Sequence, residues 1–149
     1  MISNLTKAKL SDMSRASMND LMMSNGFSFT GEGSARRTYL GFDKQYVIKV
    51  PVCGAGEFAN KREHDTYRNG NDIFDPFDKR LAPCRLINDY VLIMQAIEDD
   101  MGFHDFDEIK KILSVRDDVE FSRDLRWIHN IDSYQVGLLN GRLVTYDYE

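Results

Sequence analysis

The chain has 149 residues, a formal net charge of −5 and 42% hydrophobic residues. That length suits one domain with a real core, and the acidic balance argues against DNA or RNA as the main partner, because neutralising phosphates takes clustered Lys and Arg. No apolar run approaches membrane-spanning length and the first residues lack a signal-peptide core, so a cytoplasmic chain without membrane contact is expected.

Residues 1–9 show no periodic pattern and are expected to form a loose arm. Ser17 then precedes Met18, Leu21 and Met22, apolar at i, i+3 and i+4. With Asp20 three residues after Ser17 and Asn25-Gly26 as a stop, the spacing predicts a short helix over 17–24 whose methionine-rich face packs in the core. Residues 27–30 alternate apolar and polar and read as a first strand. Gly31-Glu32-Gly33 turns the chain. Residues 36–40 form a second strand, 41–44 a turn, and 46–50 a third strand closed by Pro51. After the flexible Gly54-Ala55-Gly56, residues 57–68 read as a helix ended by Asn69-Gly70. Residues 71–79 have loop composition, with Asp72, Asp75, Pro76 and Asp78. Two strand-like runs, 84–87 and 90–94, flank Asn88-Asp89, a tight-hairpin signal.

Beyond Met94 the character changes. An acidic Glu98-Asp99-Asp100 is followed by Phe106, Ile109, Ile112 and Leu113, which mark one helix. Phe121, Leu125 and Ile128 mark another. A loop over 130–135 leads into a hairpin, 136–139 and 143–146, around Asn140-Gly141. The order predicts an α+β fold, with five strands and one helix within 27–94. Cys53 and Cys84 lack metal or redox spacing and are expected as buried free thiols. His64, His104 and His129 share no ligand spacing, so no histidine metal site is expected.

The candidate chemistry lies in 31–49. Gly31, Gly33 and Ser34 allow a tight turn whose N–H groups point at an anion. Lys49, between Ile48 and Val50 on the third strand, is placed to reach a phosphate under that turn. On the following helix Ala59, Glu63 and Tyr67 lie four apart on one face. A glutamate between Ala and Tyr faces the protein and needs a cation there. Lys49 is the expected partner; a solvated Glu63 paired with Lys61 or Arg62 is the alternative. For the whole stretch the alternative is a plain β-meander with one lysine in solvent.

With these pieces placed, the chain resembles the protein-kinase-like fold over about 27–148. Gly31-Glu32-Gly33-Ser34 resembles its glycine-rich loop, and Val47-Ile48-Lys49-Val50 its strand-lysine motif. Glu63 stands where the family's lysine-pairing glutamate belongs. Residues 84–94 resemble its fourth and fifth strands. Gln95-Ala96-Ile97 resembles the hinge that binds adenine, so Met94 and Ala96 are the expected adenine neighbours. The closing hairpin and Asp147 resemble the strands that end in a metal-binding aspartate. The Asn60-Lys61-Arg62-Glu63 spacing, followed by Tyr67, is similar to the short kinase-like proteins of bacteriophages. The resemblance implies a kinase N-lobe-like part over 26–97, preceded by an arm and short helix over 1–25. A truncated C-lobe-like part over 98–149 follows, in one compact domain overall. It also implies ATP with Mg²⁺ as the cofactor.

The departures from the family bear on catalysis. The family's proton-accepting aspartate falls at Asn130, a neutral amide, and its metal-binding asparagine at Gln135. Asp132 is the alternative acceptor if the loop is wound differently. Gln135 and Asp147 are the expected metal ligands, and Asp147-Tyr148-Glu149 lacks the family's glycine. Lys49, Glu63, Asp132 and Asp147 are the catalytic candidates. The leading expectation is a pseudokinase-like scaffold that binds a protein of the host and either holds nucleotide or keeps only the shape of the fold. An active minimal kinase and a structural virion protein without nucleotide are the alternatives.

Overall fold

The computed structural model describes residues 5–71, 80–100, 136–140 and 142–147. Its contacts fall into two compact units, 1–68 with 83–96 and 69–82 with 97–148.

The first unit is built on five antiparallel strands. They are β1 (Phe27–Glu32), β2 (Arg36–Gly41), β3 (Tyr46–Pro51), β4 (Cys84–Ile87) and β5 (Val91–Gln95), in the order β1-β2-β3-β5-β4. Asn88 and Asp89 both sit at φ 55, the left-handed pair at the centre of the turn that the Tyr90 N–H closes on the Ile87 carbonyl at 3.2 Å. Ile87 pairs with Val91, so the connection is 88–90 and Tyr90, expected in the strand, belongs to the turn. Register aligns Thr38, Lys49, Leu92 and Leu86 in one row, and Tyr39, Ile48, Ile93 and Arg85 in the next. Neighbouring rows face opposite sides of the sheet.

The Tyr39 row faces the core. Tyr39, Ile48, Val50 and Val91 pack there with Leu5, Leu10, Met18 and Met22. The last four come from α1 (Lys7–Ser11), the residue before its cap, and α2 (Arg15–Ser24). The expected loose arm is therefore corrected: Thr6 caps α1, accepting from the Lys9 N–H at 3.3 Å, and Leu5 and Leu10 are buried. Five helical residues are too few to show a period, and it is the sheet that holds them. Helix α2 begins before Ser17, because Ser14 is the cap; its Oγ accepts from the Ser17 N–H at 3.1 Å. The expected methionine face is in the core, with Met18 and Met22 buried.

Helix α3 (Gly54–Asn69) starts three residues earlier than expected. The glycines there are helical, and Gly56 is required by contact: a Cβ would lie 2.1 Å from the Ala35 carbonyl oxygen. Its buried stripe is Gly56, Ala59, Asn60, Glu63 and Thr66, a helical spacing. Cys84 is buried as expected, whereas Cys53 is exposed, on the bend between β3 and α3.

The second unit carries β6 (Asp99–Asp100), β7 (Val136–Leu139) and β8 (Arg142–Thr145), antiparallel in that order. Asn140 turns the β7–β8 hairpin at φ 50, as its Asn-Gly sequence predicts. Leu81 runs parallel beside Thr145, with the Ala82 N–H on the Thr145 carbonyl at 2.9 Å. The fold is α+β, with the expected five-stranded antiparallel sheet, packed helix and hairpin. The two helices expected between 106 and 128 lie outside the described residues, as does the 130–135 loop.

Candidate functional site

The row that holds Lys49 faces away from the α1–α2 core. Lys49 is 6% exposed and Glu63 is fully buried. The Lys49 Nζ donates to both carboxylate oxygens, at 2.9 Å to Oε1 and 3.0 Å to Oε2. The expected strand–helix ion pair is thus present, and the solvated alternative for Glu63 is not. Lys61 instead pairs with Asp65 one turn along, at 2.6 Å on the exposed side.

A second cation shares the carboxylate. The Arg36 guanidinium donates from Nη1 to Glu63 Oε1 at 2.9 Å, and to Asn60 Oδ1 at 3.3 Å. Asn60 is fully buried, and its amide donates to the Lys49 carbonyl at 2.9 Å and the Tyr90 carbonyl at 3.0 Å. Neither Arg36 nor Asn60 was singled out for the site from sequence. Arg36 had a readable signal, since residues 36 and 38 share a face and Thr38 lies opposite Lys49. Arg37 points the other way, with its Nη1 3.7 Å from Met18 Sδ and its Nε 3.3 Å from Glu32 Oε1. A basic dipeptide on a strand is two unrelated cations.

The glycine turn is shorter than expected. Strand β1 runs through Gly31 to Glu32 by a register shift after Phe29, leaving 33–35 as the connection. The Gly33 N–H donates to the Arg36 carbonyl at 2.9 Å, so this amide closes the turn and does not point at an anion. Neither Gly31 nor Gly33 has a positive φ. A Cβ on Gly31 would meet nothing within 4 Å, and on Gly33 only the Arg36 carbonyl oxygen at 4.0 Å. The fold itself therefore makes no demand for glycine at either place. What the two glycines provide is a bare backbone that a bulky ligand group could approach closely. Ser34 lies in the same connection and is exposed.

Met94 is buried on the Lys49 face, opposite Val47. The Ala96 N–H donates to the Gln45 carbonyl at 2.9 Å, and the Gln95 N–H to the Pro83 carbonyl at 2.8 Å. Of the amides expected to meet adenine, those of Gln95 and Ala96 are thus engaged within the unit. A cavity of about 240 Å³ lies at this end of the unit, walled by Tyr46, Tyr67, Arg85 and Gln95 among others, and Lys49 is not in its wall. In the second unit Asp147 follows β8 and is half-buried. Asn130, Asp132 and Gln135 lie outside the described residues. Among the described residues no three His, Cys, Asp or Glu side chains gather as a cation would require, so the described donors do not by themselves make a Mg²⁺ site. No helix among them is long and apolar enough to cross a membrane.

No family model and no curated protein matches the chain. Two solved structures resemble it. One is the ternary complex of APH(2'')-IIa with streptomycin and ATP, 18% identical over 76% of this chain, with a TM-score of 0.41. The other is the aminoglycoside phosphotransferase APH(2'')-Ib with ADP bound, 18% identical over 80% of this chain, with a TM-score of 0.41. The chain spans 44% of the length of each.

Proposed function

We propose that this chain is a kinase-like protein of the short bacteriophage type. It takes a nucleoside triphosphate on the Lys49 face of its sheet, transfers phosphate weakly or not at all, and acts by binding a protein of the host in the host cytoplasm. The observation that carries the nucleotide reading is the buried contact of Lys49 with both oxygens of Glu63. A buried ion pair gives little stability that apolar side chains could not give, since desolvation offsets most of the attraction. Placed next to a strand end and turn whose glycines, Gly31 and Gly33, the fold does not need, it is better explained by a ligand. Lys49 would hold the phosphates, and the bare backbone at Gly31 and Gly33 would let them approach. Weak transfer follows from the sequence, where a neutral amide, Asn130, takes the place of the proton acceptor. Asp132 is the residue that would restore one.

Thermal unfolding with ATP or ADP, with and without Mg²⁺, tests the binding. Nucleotide at a hundredfold over its dissociation constant should add about 2.7 kcal/mol of stability to the native chain. Lys49→Ala should lose most of that gain. No shift in the native chain, or an equal shift in the variant, overturns the nucleotide reading. Labelled ATP with host lysate tests the rest, and no labelled protein is expected. Label transfer that is lost in Asp132→Ala and kept in Asn130→Ala would make the chain a minimal kinase.

A further inference from the structure

We infer that Arg36 is a positioning residue for the Lys49 site, tying the turn at 33–35 to helix α3 through Glu63. The inference takes its ligand from the nucleotide reading above. Glu63 Oε1 receives both Arg36 Nη1 and Lys49 Nζ, each at 2.9 Å, from two different strands. A carboxylate held by one cation can still swing about its own side-chain bonds. Held from two strands, it has one place to be, and so has the ammonium beside it. Arg36 is fixed in turn by Asn60 Oδ1, and the Asn60 amide is anchored on two backbone carbonyls.

The turn itself is fastened to the bend that leads into the same helix and packs on the helix's first turn. The Ala35 carbonyl accepts from the Val52 N–H at 2.8 Å and lies where a side chain on Gly56 would be. The backbone contact at Ala35 and the ion pair at Arg36 therefore bind the turn to the first and third turns of α3. A shift of the turn under a ligand would be felt at Glu63. Arg36 thus sets where Lys49 presents its charge without itself touching the ligand.

Four proteins separate this from a role in folding alone: the native chain, Arg36→Met, Glu63→Gln and the double variant. Binding of ATP and of adenosine is measured by calorimetry, and stability by urea unfolding. Losing a charge-assisted hydrogen bond to Glu63 should weaken ATP about tenfold in Arg36→Met. Adenosine binding, which does not use Lys49, should stay within about twofold of the native value. In the Glu63→Gln background, Arg36→Met should cost ATP affinity no further. An equal loss in both backgrounds, or loss of ATP and adenosine together, overturns the inference. If the native chain binds no nucleotide, the nucleotide reading falls, and urea unfolding decides the link to Glu63. A midpoint lowered by Arg36→Met only when Glu63 is present supports the link; the same lowering in both backgrounds removes it.

Discussion

Replacing Asn60 by alanine should be among the most damaging single changes in the first unit. The side chain is fully buried and serves three groups: the Lys49 carbonyl at 2.9 Å, the Tyr90 carbonyl at 3.0 Å and Arg36 Nη1 at 3.3 Å. The β3–β5 register runs from Tyr46 opposite Gln95 to Lys49 opposite Leu92 and stops there. Where the ladder ends, the Asn60 amide joins the two strands. A buried neutral hydrogen bond contributes about 1–1.5 kcal/mol net, and a group left dry costs up to about 3. Two carbonyl bonds bring the loss to about 3 kcal/mol; the longer Arg36 contact adds little, since that guanidinium keeps Glu63. Urea unfolding followed by far-ultraviolet dichroism reads this directly. With a denaturant slope of about 1–3 kcal/mol per molar, the midpoint should fall by about 1–3 M. Asn60→Asp is the control, keeping the acceptor for Arg36 but setting a carboxylate against two carbonyl oxygens. It should be no more stable than the alanine variant at neutral pH, despite its new ion pair. A midpoint within about 0.3 M of the native chain for Asn60→Ala would show that the strands do not need the amide, and would refute the reasoning.

Glu63→Ala leaves two buried cations facing each other and should cost about 3–5 kcal/mol, whereas Lys49→Met leaves Glu63 on Arg36 and should cost less; the same urea titration ranks them. Gly56→Ala drives a Cβ to 2.1 Å from the Ala35 oxygen and should cost about 2 kcal/mol or more, read as a lowered unfolding midpoint. Gly31→Ala and Gly33→Ala should leave stability within about 0.5 kcal/mol of native, so any nucleotide affinity they lose belongs to the ligand. Burial pushes the Tyr39 phenol above its ordinary value of 10.0. The unfolded phenol therefore ionises first, and stability present below pH 10 falls as pH rises through the folded value. Tyr39→Phe should lose about 1 kcal/mol at neutral pH with its 2.7 Å bond to Asn19, and should show a shallower fall above pH 10. Some alkaline dependence should persist from Tyr90, raised first by burial.

Strands and turns were the most legible features. Alternation marked β1, runs of β-formers marked β2 and β3, and Asn88-Asp89 and Asn140-Gly141 named their hairpins, because few residues accept the left-handed backbone those turns use. Glu63 was legible because helical spacing put a charge between Ala59 and Tyr67, and a charge on an inward face needs a partner. What sequence hid was set by distance in space. Leu5 and Leu10 look like any sparse leucines until a sheet lies over them. Gly56 reads as flexibility until Ala35 approaches it. Arg36 reads as half of a basic pair until strand parity sends it to Glu63 and its neighbour to Met18. The Gly33 and Ala96 amides looked available for ligand because sequence does not show which backbone groups the turn and the sheet have taken.

The covering of the sheet by α1 and α2 sets a schedule for folding. The Asn88 side chain holds the Leu5 carbonyl at 2.9 Å across 83 positions of sequence. Tyr90 and Val91 share one cluster with Leu5 and Leu10. Adjacent hairpins can close locally and α2 can dock on β1 and β2, where Asn19 meets Tyr39, but Leu5 has its Asn88 partner only once β4 and β5 have joined β3. Closing so long a loop carries an entropic penalty before any contact rewards it, so the step should be late and slow. Until then Ile48, Val50 and Val91 stand uncovered on one side of a growing sheet. A kinetic experiment should therefore find Leu5 and Leu10 substitutions speeding unfolding while leaving the folding rate nearly unchanged.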